Sequence, residues 1–313
     1  MHGKTEAEDL TCPVTSELND LCSRISSTCT YMTKCLVTGG AGFIGSHLCE
    51  RLIKDGHRVI SLDNYFTGRK ENHVEGVEYL EGHTKNIASI ATEDVDLIYH
   101  LGEYSRTEIS LSEPDIVWDL NIAGTFGVLE FWRKKKCKLV YGGSSTKFAD
   151  RGLGKDQSPY AWTKASNTDL VKNYGSWYNL PFAITYFYNV YGPGEMSGKY
   201  GTVIEIFRQQ YLRGEPLTAV SPGTQKRIFT HINDIVDGLI LVGERGLGDE
   251  FGLGADKSYS VLEIAKLFKS KIKMLPERGG NREGSNLNTD KSRALGWKAK
   301  YRIEDYIIDI VRK

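Results

Sequence analysis

The sequence predicts an α/β fold, a doubly wound parallel sheet followed by a smaller C-terminal lobe. Three observations predict it. Short apolar runs alternate with helical stretches through the first 190 residues, as successive strand–helix–strand units require. A glycine-rich turn joins the first run to the first helix. After residue 190, Pro193, Pro216, Pro222 and many glycines break the pattern into shorter elements.

The first unit is Lys34-Cys-Leu-Val-Thr-Gly-Gly-Ala-Gly-Phe-Ile-Gly45. Leu36 and Val37 belong to a strand. Ile44, Leu48, Leu52 and Ile53 repeat at helical spacing. The second strand is Arg58-Val-Ile-Ser-Leu-Asp63. Further strands are expected at Asp96–Leu101, Lys138–Tyr141 and Phe182–Phe187, with long helices at 116–133 and 158–178. The choppier remainder predicts helices near 202–213, 233–243, 260–270 and 303–312. Residues 1–31 are rich in Ser, Thr, Glu, Asp and Cys without a sustained period, and read as an appended extension or a short docking helix (Ser16 to Ile25). Residues 32–190 then form the nucleotide-binding domain and 191–313 mainly a substrate lobe, some of whose segments return to the first domain.

Composition narrows the class. Of 313 residues, forty are basic and forty acidic, so no electrostatic footprint for nucleic acid or an anionic membrane arises. The run Arg133-Lys-Lys-Lys136 suits the solvated C-terminal end of a helix. No stretch has membrane-spanning length, and six cysteines without Cys-x-x-Cys or zinc-ligand spacing predict a reduced, cytoplasmic protein without a metal site. The gaps between Cys12, Cys22 and Cys29 are irregular, and Cys35 and Cys137 read as buried hydrophobes.

The glycine turn carries the first functional reading. Glycines let a turn adopt backbone angles closed to other residues and let a diphosphate approach the main chain. The following helix N-terminus offers unpaired N–H groups to that diphosphate. Gly40, Gly42 and Gly45 fit the general dinucleotide spacing, and Gly39, Gly42 and Gly45 fit the variant with a two-residue first gap. Asp63 ends the second strand, where an acid accepts hydrogen bonds from both adenine-ribose hydroxyls and repels a 2′-phosphate. NAD is therefore expected rather than NADP, with Arg69 and Lys70 near enough to serve a phosphate instead.

The second reading is catalytic. The strand at Lys138–Tyr141 runs into Gly142-Gly-Ser-Ser-Thr146, and hydroxyls just past a central strand face the ligand crevice of such sheets. Tyr160 and Lys164 follow on one face of a helix. An ammonium beside a phenol favours the phenolate, which can take a proton from a sugar hydroxyl while hydride leaves the same carbon.

These motifs, with Asp63-Asn64, His100-Leu101, Asn121-Ile-Ala-Gly-Thr125, Tyr188-Asn-Val-Tyr-Gly-Pro-Gly194 and Arg227-Ile-Phe-Thr-His-Ile-Asn-Asp234, resemble the extended short-chain dehydrogenase/reductases of the nucleotide-sugar epimerase and dehydratase group. The resemblance covers about residues 33–313. It implies a Rossmann-type domain whose NAD site includes Gly39, Gly42, Phe43, Ile44, Gly45, Asp63, Asn64, Leu101, Tyr160 and Lys164. It implies Tyr160 as general base, Lys164 as phenol tuner and ribose ligand, and Ser144 as the group that bonds the reacting hydroxyl. Asn121 would stand near the catalytic helix. Asn189 would reach the diphosphate of a nucleotide-diphosphate sugar, which Arg227 and Arg282 neutralise. The helices at 116–133 and 158–178 are where such proteins pair, implying a homodimer through a four-helix bundle.

The chain also departs from the pattern. Dehydratases of this group place Asp-Glu after the strand-end hydroxyl, and Ser145 and Thr146 stand there instead, which argues against dehydration. The usual Gly-Asp-x-x-Asp near the adenine is Gly82-His-Thr-Lys-Asn86. The alanine pair after His-Leu is Gly102-Glu103, followed by Tyr104-Ser-Arg106. Glu103 and Arg106 either read an unusual sugar or form a solvated ion pair. The loop Lys147–Pro159 is short, which reshapes the sugar pocket. Ser144, Ser145, Thr146 and Glu103 complete the expected substrate contacts. A 4-epimerase working through a transient 4-keto sugar is the leading expectation. A 4-dehydrogenase releasing that keto sugar, on a GDP-heptose for example, is second, and a non-catalytic NAD-binding sensor third.

Overall fold

In the computed structural model, residues 32–146, 154–277 and 288–312 are described, and residues 32–313 form one compact unit. The expectations for the extension 1–31, for Arg282 and for most of the loop between Ser144 and Tyr160 lie outside the described residues. Thirteen strands are formed there: β1 (Lys34–Thr38), β2 (Arg58–Asp63), β3 (Glu78–Glu81), β4 (Leu97–His100), β5 (Lys138–Ser144), β6 (Phe182–Phe187), β7 (Val190–Tyr191), β8 (Leu217–Val220), β9 (Lys226–Ile228), β10 (Thr230–His231), β11 (Gly248–Leu253), β12 (Ser258–Ser260) and β13 (Ile272–Leu275). Seven make one sheet in the order β11-β6-β5-β4-β1-β2-β3, and every pairing in it is parallel. The chain winds outward from β1 through β2 to β3, then crosses back to β4. That reversal opens a crevice beyond the carboxyl ends of β1 and β4, where such sheets bind ligands.

Both faces of the sheet are covered, as an all-parallel sheet requires. On one face Leu48 and Leu52 of the helix Phe43–Lys54 and Ile235 and Leu239 of the helix Ile232–Arg245 pack on Val37 and Val140. On the other, Val128, Leu129 and Trp132 meet Val171 and Tyr174 over Leu36 and Ile98. Each large apolar side chain removed from water there contributes about 1.5–3 kcal/mol. A third core around Phe207, Leu217 and Phe268 holds the C-terminal lobe. The paired strands β8 and β13 belong to that lobe, while β11 returns to the main sheet beside β6.

The structure adds elements that periodicity concealed. β3 reads Glu-Tyr-Leu-Glu and lies at the sheet edge, where charged ends suit an exposed strand. The expected helix 116–133 runs from Pro114 to Lys135 and contains a wider turn, with i→i+5 character, over Trp118–Ala123. Asn121 sits in that turn, a deviation that clusters at functional sites.

Candidate active site

The crevice is built first from backbone. Gly39 follows β1 with φ +76°, a conformation that glycine adopts without strain. A Cβ on Gly45 would lie 2.1 Å from the Gly39 carbonyl oxygen, so only glycine lets the helix start so close to the strand. Gly42 caps the helix Phe43–Lys54 without a side-chain hydrogen bond, so no side chain uses the first N–H groups. Asp63 is buried. Its Oδ2 accepts from the Ala41 N–H (3.0 Å) and its Oδ1 from the Tyr65 N–H (2.8 Å). Burial raises its carboxyl above the usual range, against the pull of those two N–H groups. Each oxygen retains a lone pair for a ribose hydroxyl. Gly39, Gly42, Phe43, Ile44, Gly45, Asp63, Asn64 and Leu101 all border one cavity. The donor set fits a dinucleotide: a bare helix N-terminus for the diphosphate and an oriented acid at the end of β2.

Tyr160 and Lys164 border the same cavity from the helix Pro159–Tyr178. The Tyr160 hydroxyl donates to Ser144 Oγ at 3.1 Å. Ser144 is the last residue of β5 rather than a residue beyond it, because the glycine pair continues the strand. Thr146 Oγ1 also donates to Ser144 Oγ (3.0 Å). Ser145 and Thr146 are buried, and Thr146 braces Ser144. Ser144, Ser145 and Thr146 all stand behind the residues that border the cavity. Asn121 accepts from the Tyr104 N–H (2.7 Å) and donates to Thr163 Oγ1 (3.0 Å), tying the wide turn to the catalytic helix.

Glu103 requires a correction. It borders the cavity, but its ion pair is with Lys164 and not with Arg106. Its side chain turns inward, 4 % exposed, and pairs with the Lys164 ammonium, itself 6 % exposed. Oε1 accepts from Thr125 Oγ1 (2.8 Å), Asn167 Nδ2 (2.8 Å) and the Tyr141 hydroxyl (3.2 Å). Burial alone would raise the carboxyl. The Lys164 charge and these donors instead hold it below the usual range. Lys164 also donates to the Gly142 carbonyl.

Arg106 lies in the cavity wall. It donates to the Tyr200 carbonyl (2.6 Å) and to Ser105, and burial lowers its affinity for the proton. Glu195, absent from the sequence reading, lines the same wall. One of its oxygens accepts from Thr202 and the other has no partner. Burial, then the neighbouring Glu205, push its carboxyl up to about 8.

Two expected substrate residues are not brought to this cavity. Asn189 is exposed, and its amide donates to the Ile228 carbonyl (2.9 Å). Arg227 lies on β9 and donates to the Lys226 carbonyl (3.1 Å). The segment Gly82–Asn86, without its usual acids, instead directs Lys85 to Asp119 (2.8 Å). The residues that sequence reasoning missed around Lys164 are Thr125, Tyr141 and Asn167. They come from one strand and two helices, so no local spacing in the sequence links them.

A glycine turn at the sheet reversal, an oriented acid at the end of β2, and Ser144, Tyr160 and Lys164 opposite them fit a dinucleotide-dependent enzyme. The chain belongs to the NAD dependent epimerase/dehydratase family, whose model matches residues 35–254, and NAD is its cofactor. It is 29% identical over 295 residues to a putative UDP-glucose 4-epimerase of Methanocaldococcus jannaschii, covering 88% of this chain and 96% of that one. Over 293 residues it is 29% identical to UDP-glucuronic acid decarboxylase 1 of Danio rerio, covering 86% and 70%. The structure of the Thermotoga maritima UDP-glucose 4-epimerase with UDP-glucose superposes with a TM-score of 0.82 at 27% identity, over 89% of this chain and 97% of that one.

Proposed function

We propose that this enzyme is a nucleotide-sugar 4-epimerase acting through a transient 4-keto sugar. The observation that carries the reading is the 3.1 Å contact between the Tyr160 hydroxyl and Ser144 Oγ, beside the cavity that the glycine turn also borders. Tyr160, as phenolate, takes the proton of the C4 hydroxyl, and Ser144 holds that oxygen. When bound, NAD supplies the acceptor for the C4 hydride and its later donor. Tyr160 then returns the proton to O4 after the keto sugar presents its other face. Ser145 and Thr146 lack the acid–base strength that loss of water needs, which supports epimerisation over dehydration.

Arg106 supports a second reading. A half-buried guanidinium in the wall, hydrogen-bonded to the Tyr200 and Ser105 oxygens, suits an anionic substrate group such as a C6 carboxylate. Oxidation at C4 makes that group a β-keto acid, which loses carbon dioxide readily. The exposed Trp118, Phe126, Trp162 and Trp177 on the helices Pro114–Lys135 and Pro159–Tyr178 support a homodimer through those helices. Trp118 and Trp162 already stack at 5.9 Å.

The test is incubation with UDP-, GDP-, CDP- and dTDP-sugars, uronates included, followed by NMR and by cofactor absorbance. An inverted C4 centre without lasting NADH is expected. A pentose product with carbon dioxide would replace epimerisation by decarboxylation, and accumulating NADH with a 4-keto product would replace it by net dehydrogenation. Tyr160→Phe should lower kcat by about 10²–10⁴-fold. Turnover that survives this change would remove Tyr160 as the general base.

A further inference from the structure

A hydrogen-bond chain with one direction runs from the glycine turn to the catalytic lysine. Thr38 Oγ1 accepts from the Leu101 N–H (3.2 Å) and the Gly102 N–H (3.0 Å). A hydroxyl has two lone pairs and one proton, so that proton goes to His100 Nδ1 at 2.7 Å. His100 is fully buried, and burial lowers its pKa to about 4, so the ring is neutral and its proton is on Nε2. Nε2 donates to Thr125 Oγ1 (2.9 Å), and Thr125 donates to Glu103 Oε1. Every donor points toward Glu103. Its second oxygen faces Lys164.

We propose that Glu103 is a positioning residue for the reaction, one that anchors Lys164 and offsets its charge so that Tyr160 works beside an ion pair rather than beside a lone ammonium. An uncharged residue here would leave the lysine charge without this carboxylate. The groups facing Glu103 are Lys164 and Asn167 from the catalytic helix, Tyr141 from β5, Thr125 from the helix before β5 and His100 from β4. Lys164 is the single cation among them. A compensated lysine stabilises the phenolate less, so the acid limb of the pH–rate profile lies higher than it would without the carboxylate. The proposal rests on reading Tyr160 and Lys164 as the reacting pair.

Glu103→Gln keeps the shape and most hydrogen bonds while removing the charge. The acid limb of its kcat profile should move to lower pH by about one unit, and Glu103→Asp should restore the parent profile in part. A limb that stays in place in a folded E103Q protein, or moves to higher pH, overturns the proposal. If E103Q does not fold, melting of the cofactor-free protein decides. Lys164→Met strands a buried carboxylate, so K164M should melt lower than the double variant E103Q/K164M. Equal or reversed melting temperatures overturn the ion pair. The Tyr160→Phe control separates the two readings: turnover surviving there defeats Tyr160 as the reacting group, while the melting comparison still judges Glu103.

Discussion

Glu103 and Glu195 are both buried carboxyls on the wall of one cavity, yet their surroundings drive them to opposite charge states. Glu103 has a cation on one oxygen and three donors on the other, and remains a carboxylate. Glu195 has one donor, a like-charged neighbour and an unpartnered oxygen, and holds its proton at neutral pH. Burial is common to both, so it is partner geometry that sets the charge. One wall of the site thus carries a fixed ion pair and the other a neutral acid that can titrate.

The comparison breaks most readily at Lys164. Lys164→Met should destabilise the fold by ~3–5 kcal/mol, the cost of an uncompensated buried charge, read from urea unfolding. Thr125→Val should cost ~1–3 kcal/mol, since it removes a donor to Glu103 and leaves His100 Nε2 without an acceptor. Glu195→Gln should have the smallest effect and should show itself in pH dependence. With a folded pKa raised from the ordinary 4.5 to about 8, the unfolded chain loses this proton first as pH rises. The group's contribution is therefore full below 4.5, falls across that window and is lost above about 8. The urea midpoint of the parent should drop more steeply over this range than that of the variant. Parallel slopes would show that Glu195 is ionised as Glu103 is.

Local features were legible in the sequence because their physics is local. The turn Thr38–Gly45 needs glycine at Gly39 and Gly45 for reasons internal to the turn, and four-residue spacing alone places Tyr160 and Lys164 on one helical face. Glu103 was visible only as a departure, three residues from Arg106. Its true partner is sixty-one positions away, across a strand and a helix that only the closed sheet brings together. The wide turn around Asn121 is hidden because it spans only Trp118–Ala123, too short a stretch for a change of period to show in the sequence. Ser144 reads from sequence as lying just past the strand because glycines usually stop strands, whereas Gly142 and Gly143 here remain in register with Thr185 and Tyr186.

Three buried thiols lie in or beside the sheet. Cys35 lies in β1, Cys49 on the first helix and Cys137 just before β5, each with its thiol pushed up to about 12, chiefly by burial. Alkylating reagents attack the thiolate, so these three stay silent until the sheet opens around them. With Cys12, Cys22 and Cys29 replaced by serine, the rate of labelling becomes a stopwatch for the opening of the fold at three chosen points, read by mass without any added probe.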